Sequence, residues 1–316
     1  MKIVFMGTPD FAVPTLKKLI DSEHKILAVY TKEPKKVDRG QKIKKTPIHR
    51  LAEENGINVF IPKKLSIEEK RQLIELNPDI CIVVAYGMII PLEILNIPKH
   101  GFLNVHASLL PRWRGADPIR RAILEGDSIT GISIMQVTEG LDEGDVLASS
   151  SIGIEGKNIR YENLYEELAK EGGNLLLQVL NNMESKPGKI KKIKQNENKS
   201  TYAKKIKKED GKIDWMKSAE KIFRQIMALS ASPGVYFEYK GEKIKVFDAE
   251  VETNFGTNKY TKYNPGTVVE ENSNKFCILC GNGIICLKKL QRPGKNSMCF
   301  REFLRGFPIK IGEILK

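Results

Sequence analysis

The sequence predicts two folded parts: an α/β region on a mostly parallel sheet, then a small β-barrel. Three observations lead there. In the first half, strand-like apolar runs alternate with amphipathic helical segments, the pattern of strands linked by crossover helices. One run, "PDICIVVAYG", is apolar almost without a break, as a strand covered on both faces requires. Past residue 185 a lysine-rich stretch appears, followed by short strands and Gly-rich turns. At roughly 150 residues per domain, 316 residues accommodate about two domains. The boundaries fall at 1–185, a basic linker at 186–206, and a second domain at 207–316.

The elements follow in order. "KIVFMG" reads as a strand and "DFAVPTLKKLIDS" as a helix with Asp10 at its N-cap. "KILAVYT" is a strand. "TPIHRLAEENG" is a helix with Thr46 as cap, Pro47 in its first position and Gly56 beyond its end. After the short strand "INVFIP", Ser66 followed by Glu69 forms a capping box that opens "SIEEKRQLIELN". "PDICIVVAYG" and "HGFLNVHASLLP" are the next two strands, and "ADPIRRAILEGD" a short helix. "TGISIMQVT" and "DVLASSSIGI" lie close enough in sequence to pair antiparallel around "EGLDEGD". "NIRYENLYEELAKEGGNLLLQVLNNM" is a long helix with Gly172 and Gly173 weakening its middle.

The stretch "KPGKIKKIKQNENKSTYAKKIKK" has ten lysines, one glutamate and no sustained apolar period, so an exposed linker is expected. Next, "GKIDWMKSAEKIFRQIMALS" reads as a helix, and "KFCILCGNGIICLKKL" as a hairpin turning at Gly281-Asn282-Gly283.

Composition narrows the functional classes. A net charge of +13 and a pI near 9.3 fit a polyanionic partner, although lysine spread over a solvated surface gives the same total. The opening apolar run is too short for a secretory leader, and no run nears the roughly 18 apolar residues of a membrane span. A cytoplasmic protein without a membrane partner is therefore expected. Five cysteines, an odd number, point to reduced thiols. "CILC" has no second Cys pair and no neighbouring His, so its cysteines read as small buried hydrophobes rather than zinc ligands. The first strand–helix turn holds Gly7 but no G-x-G-x-x-G, and neither a Walker A pattern nor a G-x-S-x-G elbow occurs. No pair of the four histidines has helical i, i+4 spacing, so no metal site is expected.

What stands out is "NVHASLLPRWRG". Asn104 and His106 are two apart on a strand and share one face near its carboxyl end, where open α/β sheets bind ligands. An amide and an imidazole converging there can donate to one oxygen, as stabilising an oxyanion at an attacked carbonyl requires. A carboxylate that orients the imidazole completes such a site. "EGLDEGD" offers several, and spacing alone does not separate Asp142 from Asp145. Trp113, between Arg112 and Arg114, suits a packed wall as well as a stacking platform.

On these residues the chain resembles the 10-formyltetrahydrofolate-dependent formyltransferases. "NVHASLLP" is similar to their N-x-H-x-S-L-L-P signature and "GLDEGD" to their D-x-G turn. "FMGTPDFA", "VVAYGMIIP", "SLLPRWRGADPIRRAI", "IDWMKSA" and "FLRGFPIKIGEIL" extend the likeness over nearly the whole chain, toward the members that formylate initiator methionyl-tRNA. The resemblance implies a Rossmann-like domain and a C-terminal barrel of OB type, in an enzyme that acts as a monomer. It implies that Asn104, His106 and Asp142 are catalytic, with Asp142 chosen over Asp145. It associates Ser108, Leu109, Leu110 and Pro111 with 10-formyltetrahydrofolate, the formyl donor, and requires no metal. It places Arg39 and Lys42 in a loop that reaches the tRNA acceptor end, while linker lysines such as Lys191, Lys192, Lys204 and Lys205 track phosphates. The chain departs from relatives at "SASPGVY", with Ser232 where they often have Trp, and at "DRGQKIKK". The closest rival is a formyltransferase acting on a small amine, which needs neither basic linker nor barrel. A nucleic-acid-binding protein that has lost activity is another, and the intact trio argues against it.

Overall fold

The computed structural model describes all residues except 38–41, 157–158, 187, 253–259, 261 and 272–273. Its contacts divide the chain into two compact units. The first comprises Met1–Ile119, Ile129–Gly153 and Glu162–Ala203, and the second Arg120–Ser128, Ile154–Tyr161 and Lys204–Lys316.

In the first unit, β1 (Lys2–Gly7), β2 (Lys25–Tyr30), β3 (Val59–Phe60), β4 (Ile80–Val84), β5 (Phe102–His106), β6 (Ile129–Gln136) and β7 (Val146–Gly153) form a seven-stranded sheet, ordered β7-β6-β5-β4-β1-β2-β3. Pairing is parallel from β3 to β5, then antiparallel across β6 and β7. Ile3 to Met6 on β1 and Ile80 to Ile82 on β4 are fully buried, which is why both strands read as unbroken apolar runs.

Helices α1 (Val13–Ile20), α2 (Pro47–Glu54), α3 (Ile67–Leu76), α5 (Pro118–Glu125) and α6 (Tyr161–Ser185) follow the expected order, and a short helix not among those expected, α4 (Leu92–Leu95), lies between α3 and α5. Thr46 Oγ1 accepts the His49 N–H at 3.0 Å, and Ser66 N–H donates to the Glu69 carboxylate at 2.7 Å. Asp10 is not a side-chain cap. It opens a short 3-10 turn, Asp10–Ala12, and α1 starts after it with Pro14 in its first turn. Helix α6 runs unbroken through its two glycines because both are contact points. A Cβ on Gly172 would sit 2.7 Å from Val105 of β5, and one on Gly173 would sit 3.2 Å from the Pro14 carbonyl. The close approach offsets the roughly 0.5–1 kcal/mol that each glycine costs a helix.

The lysine-rich stretch differs from the exposed linker expected at 186–206. Lys191, Lys192, Lys194 and Lys199 are exposed, but the backbone between them is anchored. Ile193 and Val146 exchange backbone hydrogen bonds at 2.9 Å, and Tyr202–Ala203 pairs in parallel with Arg114–Gly115. The first unit therefore extends to Ala203 rather than ending at 185. Single bridges and two-residue strands leave no side-chain period for a sequence to display.

The second unit holds β8 (Val235–Tyr239), β9 (Glu242–Glu252), β10 (Val268–Glu271), β11 (Phe276–Leu279), β12 (Ile284–Gln291) and β13 (Met298–Cys299), with α7 (Ala219–Leu229) and α8 (Phe300–Gly306). The strands are antiparallel, in the order β8-β9-β12-β11-β10, with β13 on β12. Residues Glu313–Lys316 join the two outer strands. Lys316 N–H donates to Glu238 of β8, and the Glu313 carbonyl accepts Val268 N–H of β10, both at 2.9 Å. These bonds tie the two edges of the half-barrel together. Helix α7 is shorter than expected, since Ser218 caps it by accepting the Lys221 N–H, and "DWM" forms a turn that buries Trp215.

The hairpin around Gly281-Asn282-Gly283 forms as expected, but its cysteines are not all thiols. Cys277 and Cys286 lie directly opposite on β11 and β12, with Cα atoms 4.0 Å apart, and are joined as a disulfide. Counting cysteines does not reveal cross-strand register, so this pair was hidden in the sequence. Cys81 and Cys280 are buried thiols, and burial pushes the Cys280 pKa up to about 12. Among the described residues, no helix is long and apolar enough to cross a membrane, and no three His, Cys, Asp or Glu side chains are grouped as metal ligands.

Candidate active site

Asn104 and His106 project from one face of β5, with His106 buried at the strand end. Beyond it the chain is held to β6 by one side chain. Ser133 Oγ accepts the Leu110 N–H at 3.1 Å and donates to the Ser108 carbonyl at 2.7 Å. The Ser108 hydroxyl donates to the Arg112 carbonyl at 2.6 Å, which tightens the loop through a cis Leu110–Pro111 peptide. The loop ends at Trp113 in the left-handed region, φ 63°. A bulky residue takes that conformation only where its surroundings impose it. Here it aims the Trp113 carbonyl at His106, whose Nε2 lies 2.9 Å away. A carbonyl oxygen only accepts, so Nε2 carries the proton and Nδ1 faces the site.

Asp142 comes from the β6–β7 connection, also left-handed at φ 52°, a conformation Asp tolerates better than most residues. Its Oδ1 accepts from Asn104 Nδ2 at 3.4 Å. Its Oδ2 accepts the Gly115 N–H at 2.9 Å and lies 3.6 Å from His106 Nδ1. The structure thus brings together Asn104, His106 and Asp142. The Trp113 carbonyl at Nε2 sets the imidazole tautomer, and the Asp142 carboxylate faces the other ring nitrogen. Gly115 must be glycine: its φ is +111°, and a Cβ would meet the Ala203 carbonyl at 3.0 Å.

A second layer comes from the stretch expected to be a linker. Gln195 is buried, and its Nε2 donates to the Asp142 carbonyl at 2.9 Å and the Gly144 carbonyl at 2.8 Å. Its Oε1 accepts from Arg114 Nε at 3.0 Å. Arg114 is fully buried and pairs through both terminal nitrogens with Glu197, at 2.9 and 2.7 Å. These hydrogen bonds hold the Glu197 carboxyl below its ordinary pKa range. Thr201 Oγ1 accepts the Trp113 N–H at 2.9 Å, and the Thr201 carbonyl accepts the Arg114 N–H at 2.9 Å. The sequence carried no signal for Gln195 or Thr201, since one polar residue among lysines fits a solvated face equally well.

The remaining expected residues are placed as follows. Leu109, Leu110 and Pro111 are half-buried in the loop beside the trio, while the Ser108 hydroxyl is committed internally. Trp113 is buried and covered by the Arg112 guanidinium 4.3 Å from its ring centre, so it is a packed wall. Lys191, Lys192, Lys204 and Lys205 are exposed, with Lys192 Nζ donating to Gln136 Oε1 at 2.7 Å. Lys42 begins a short strand, Lys42–Lys44, paired with Lys35–Val37, and Arg39 lies outside the described residues. A cleft of about 630 Å³ adjoins the start of β5 and the connection that carries Asp142. Leu95, Phe102 and Val137 give it an apolar side, and Gln136, Thr138 and Glu139 give it polar groups.

Comparison with known proteins places this geometry. Residues 1–180 match the formyl transferase family, and residues 205–308 match the formyl transferase C-terminal domain. A methionyl-tRNA formyltransferase of Coxiella burnetii is 45% identical over 312 residues, covering 98% of this chain and 97% of the relative. One of Rickettsia prowazekii is 43% identical over 321 residues, covering 100% of both. Among solved structures, methionyl-tRNA formyltransferase from Clostridium thermocellum shares the fold with TM-score 0.54 at 18% identity, over 81% of this chain and 95% of that one. With both family regions matched and such relatives aligned end to end, the chain belongs to the formyl transferase family, among the methionyl-tRNA formyltransferases.

Proposed function

We infer that this protein transfers the formyl group of 10-formyltetrahydrofolate to the α-amino group of methionyl initiator tRNA. The observation that carries the reading is the meeting of Asn104, His106 and Asp142, from two distant segments, around one point. The amine attacks the formyl carbon, a C–N bond forms, and the carbonyl electron pair moves to oxygen. The second N–H of Asn104 and, in the imidazolium form with both ring nitrogens protonated, the Nδ1–H of His106 are the donors that meet this oxyanion. Asp142 takes the amine proton, directly or through one water, and the proton goes to N10 as the C–N10 bond breaks. Holding both reactants together supplies much of the remaining acceleration.

The site fits the donor. Leu109, Leu110 and Pro111, half-buried in the loop beside the trio, give the donor an apolar border there. The exposed lysines Lys191, Lys192, Lys204 and Lys205, with Arg39 and Lys42, supply charge for the tRNA backbone. One chain furnishes the whole trio, which supports a monomer, and the substrates belong to translation, which supports a cytoplasmic enzyme. We divide the labour as catalysis in the first unit and tRNA binding in the barrel and basic segment. The test supplies formyl donor with charged initiator or charged elongator tRNA. Formylation confined to initiator tRNA is expected, and transfer to neither refutes the reading.

A further inference from the structure

We propose that Gln195 and Thr201 are positioning residues for formyl transfer, and that the segment Ile193–Ala203 is a strap setting both partners of His106. The proposal rests on the formyl-transfer reading and deepens it. His106 is held at two nitrogens by two groups that do not hold themselves. The Trp113 carbonyl at Nε2 depends on a left-handed tryptophan, and the Asp142 carboxylate near Nδ1 depends on a left-handed aspartate. Both turns are strained or exposed loop conformations, and both are fastened by the same eleven-residue segment. Thr201 accepts the Trp113 N–H, and Gln195 donates to the backbone carbonyls of Asp142 itself and of Gly144.

The chemistry of Gln195 is specific. Its amide must donate two hydrogens to two carbonyls while its oxygen accepts from buried Arg114. Only an amide of this length does all three. Glu has the same shape and would pair better with Arg114, yet it would set a carboxylate against two carbonyl oxygens. A side chain kept only to neutralise Arg114 would favour Glu. The presence of Gln places its purpose at the Asp142 turn. Arg114 and Glu197 in turn fix the Gln195 amide so that it cannot flip.

Four variants test this: Gln195→Glu, Gln195→Ala, Thr201→Val and Thr201→Ser. Each is assayed for formyl transfer to charged initiator tRNA, with melting temperature and with nitrogen-15 spectra of labelled histidine. The four histidines are assigned by difference with His106→Gln. Gln195→Glu and Gln195→Ala are expected to lower kcat by about 10–100-fold, with KM for either substrate changed less than about 3-fold, as for loss of transition-state alignment. Thr201→Val is expected to lower kcat by about 10-fold and to weaken the Nε2-protonated signature of His106, while Thr201→Ser restores both. Wild-type kcat in Gln195→Glu and Thr201→Val overturns the proposal. So does a loss of activity that follows the melting temperature alone with the His106 signature intact. An inactive wild-type protein would instead refute the formyl-transfer reading itself.

Discussion

Asp142 uses both of its carboxylate oxygens. One carboxylate oxygen takes the Asn104 amide and the other takes the Gly115 N–H beside His106. Asp142→Asn keeps the shape but sets an NH₂ group against one of these donors. We expect kcat to fall by about 10²–10³, as for Asn104→Ala, with donor binding little changed. Near-normal turnover by either purified variant would remove them from the reaction. Glu197 gives a different prediction, in pH. Its pairing with Arg114 lowers its folded pKa, so its contribution to stability is present above the unfolded value and is lost as pH falls through the folded one. Glu197→Gln, which strands a buried guanidinium, should be less stable at neutral pH, and the two proteins should converge in acid below about pH 4.3. Acid titrations followed by circular dichroism decide it; parallel curves would deny the linkage. The contrast with Asp142 shows what was readable here. A strand face and a loop of acids are visible as residue types at spacings, whereas the carbonyl that holds His106 belongs to a backbone angle and has no letter of its own.

At the scale of elements, caps and strands were legible because they are local. Thr46 and Ser66 satisfy donors three residues away, and the sheet strands declare their burial in composition. Elements made by distant backbone pairing were not. Tyr202–Ala203 is a strand only because Arg114–Gly115 lies beside it, and Cys277 meets Cys286 only once register is set. The strap makes a prediction of its own. Trypsin acting on the folded protein should cut first after Lys189 or Lys191, and the bonds after Lys194 and Lys199 should resist until the first unit opens. Mass spectrometry of early fragments measures this, and early cleavage after Lys194 or Lys199 would show that the strap is loose.

For the molecule as a whole, the charge of +13 has a use only if it is organised. The exposed lysines that flank the strap lie on the chain between the catalytic sheet and the barrel, so tRNA affinity should fall steeply with salt as bound phosphates release counterions. Replacing Lys191, Lys192, Lys204 and Lys205 with Gln should weaken initiator and elongator tRNA alike. The slope of log K against log salt should flatten by about 0.7–0.9 for each lost phosphate contact. An unchanged slope would assign the charge to solvation. The overall plan, sheet then barrel, was visible from alternation and from the change in composition. Where one unit gives way to the next was not, because the last part of the first unit is written in lysines.

That placement has a consequence in time. A ribosome releases this chain from its amino end at about 5–20 residues per second. The strand bearing Asn104 and His106 emerges well before Gln195 and Thr201, by a wait on the order of 5–20 s at that pace. Until the strap is made, a nascent chain can own every residue of the trio and still lack the groups that align it. Such a chain, though already folded into a sheet, would be unable to act on the charged tRNA around it until its own synthesis had passed Ala203.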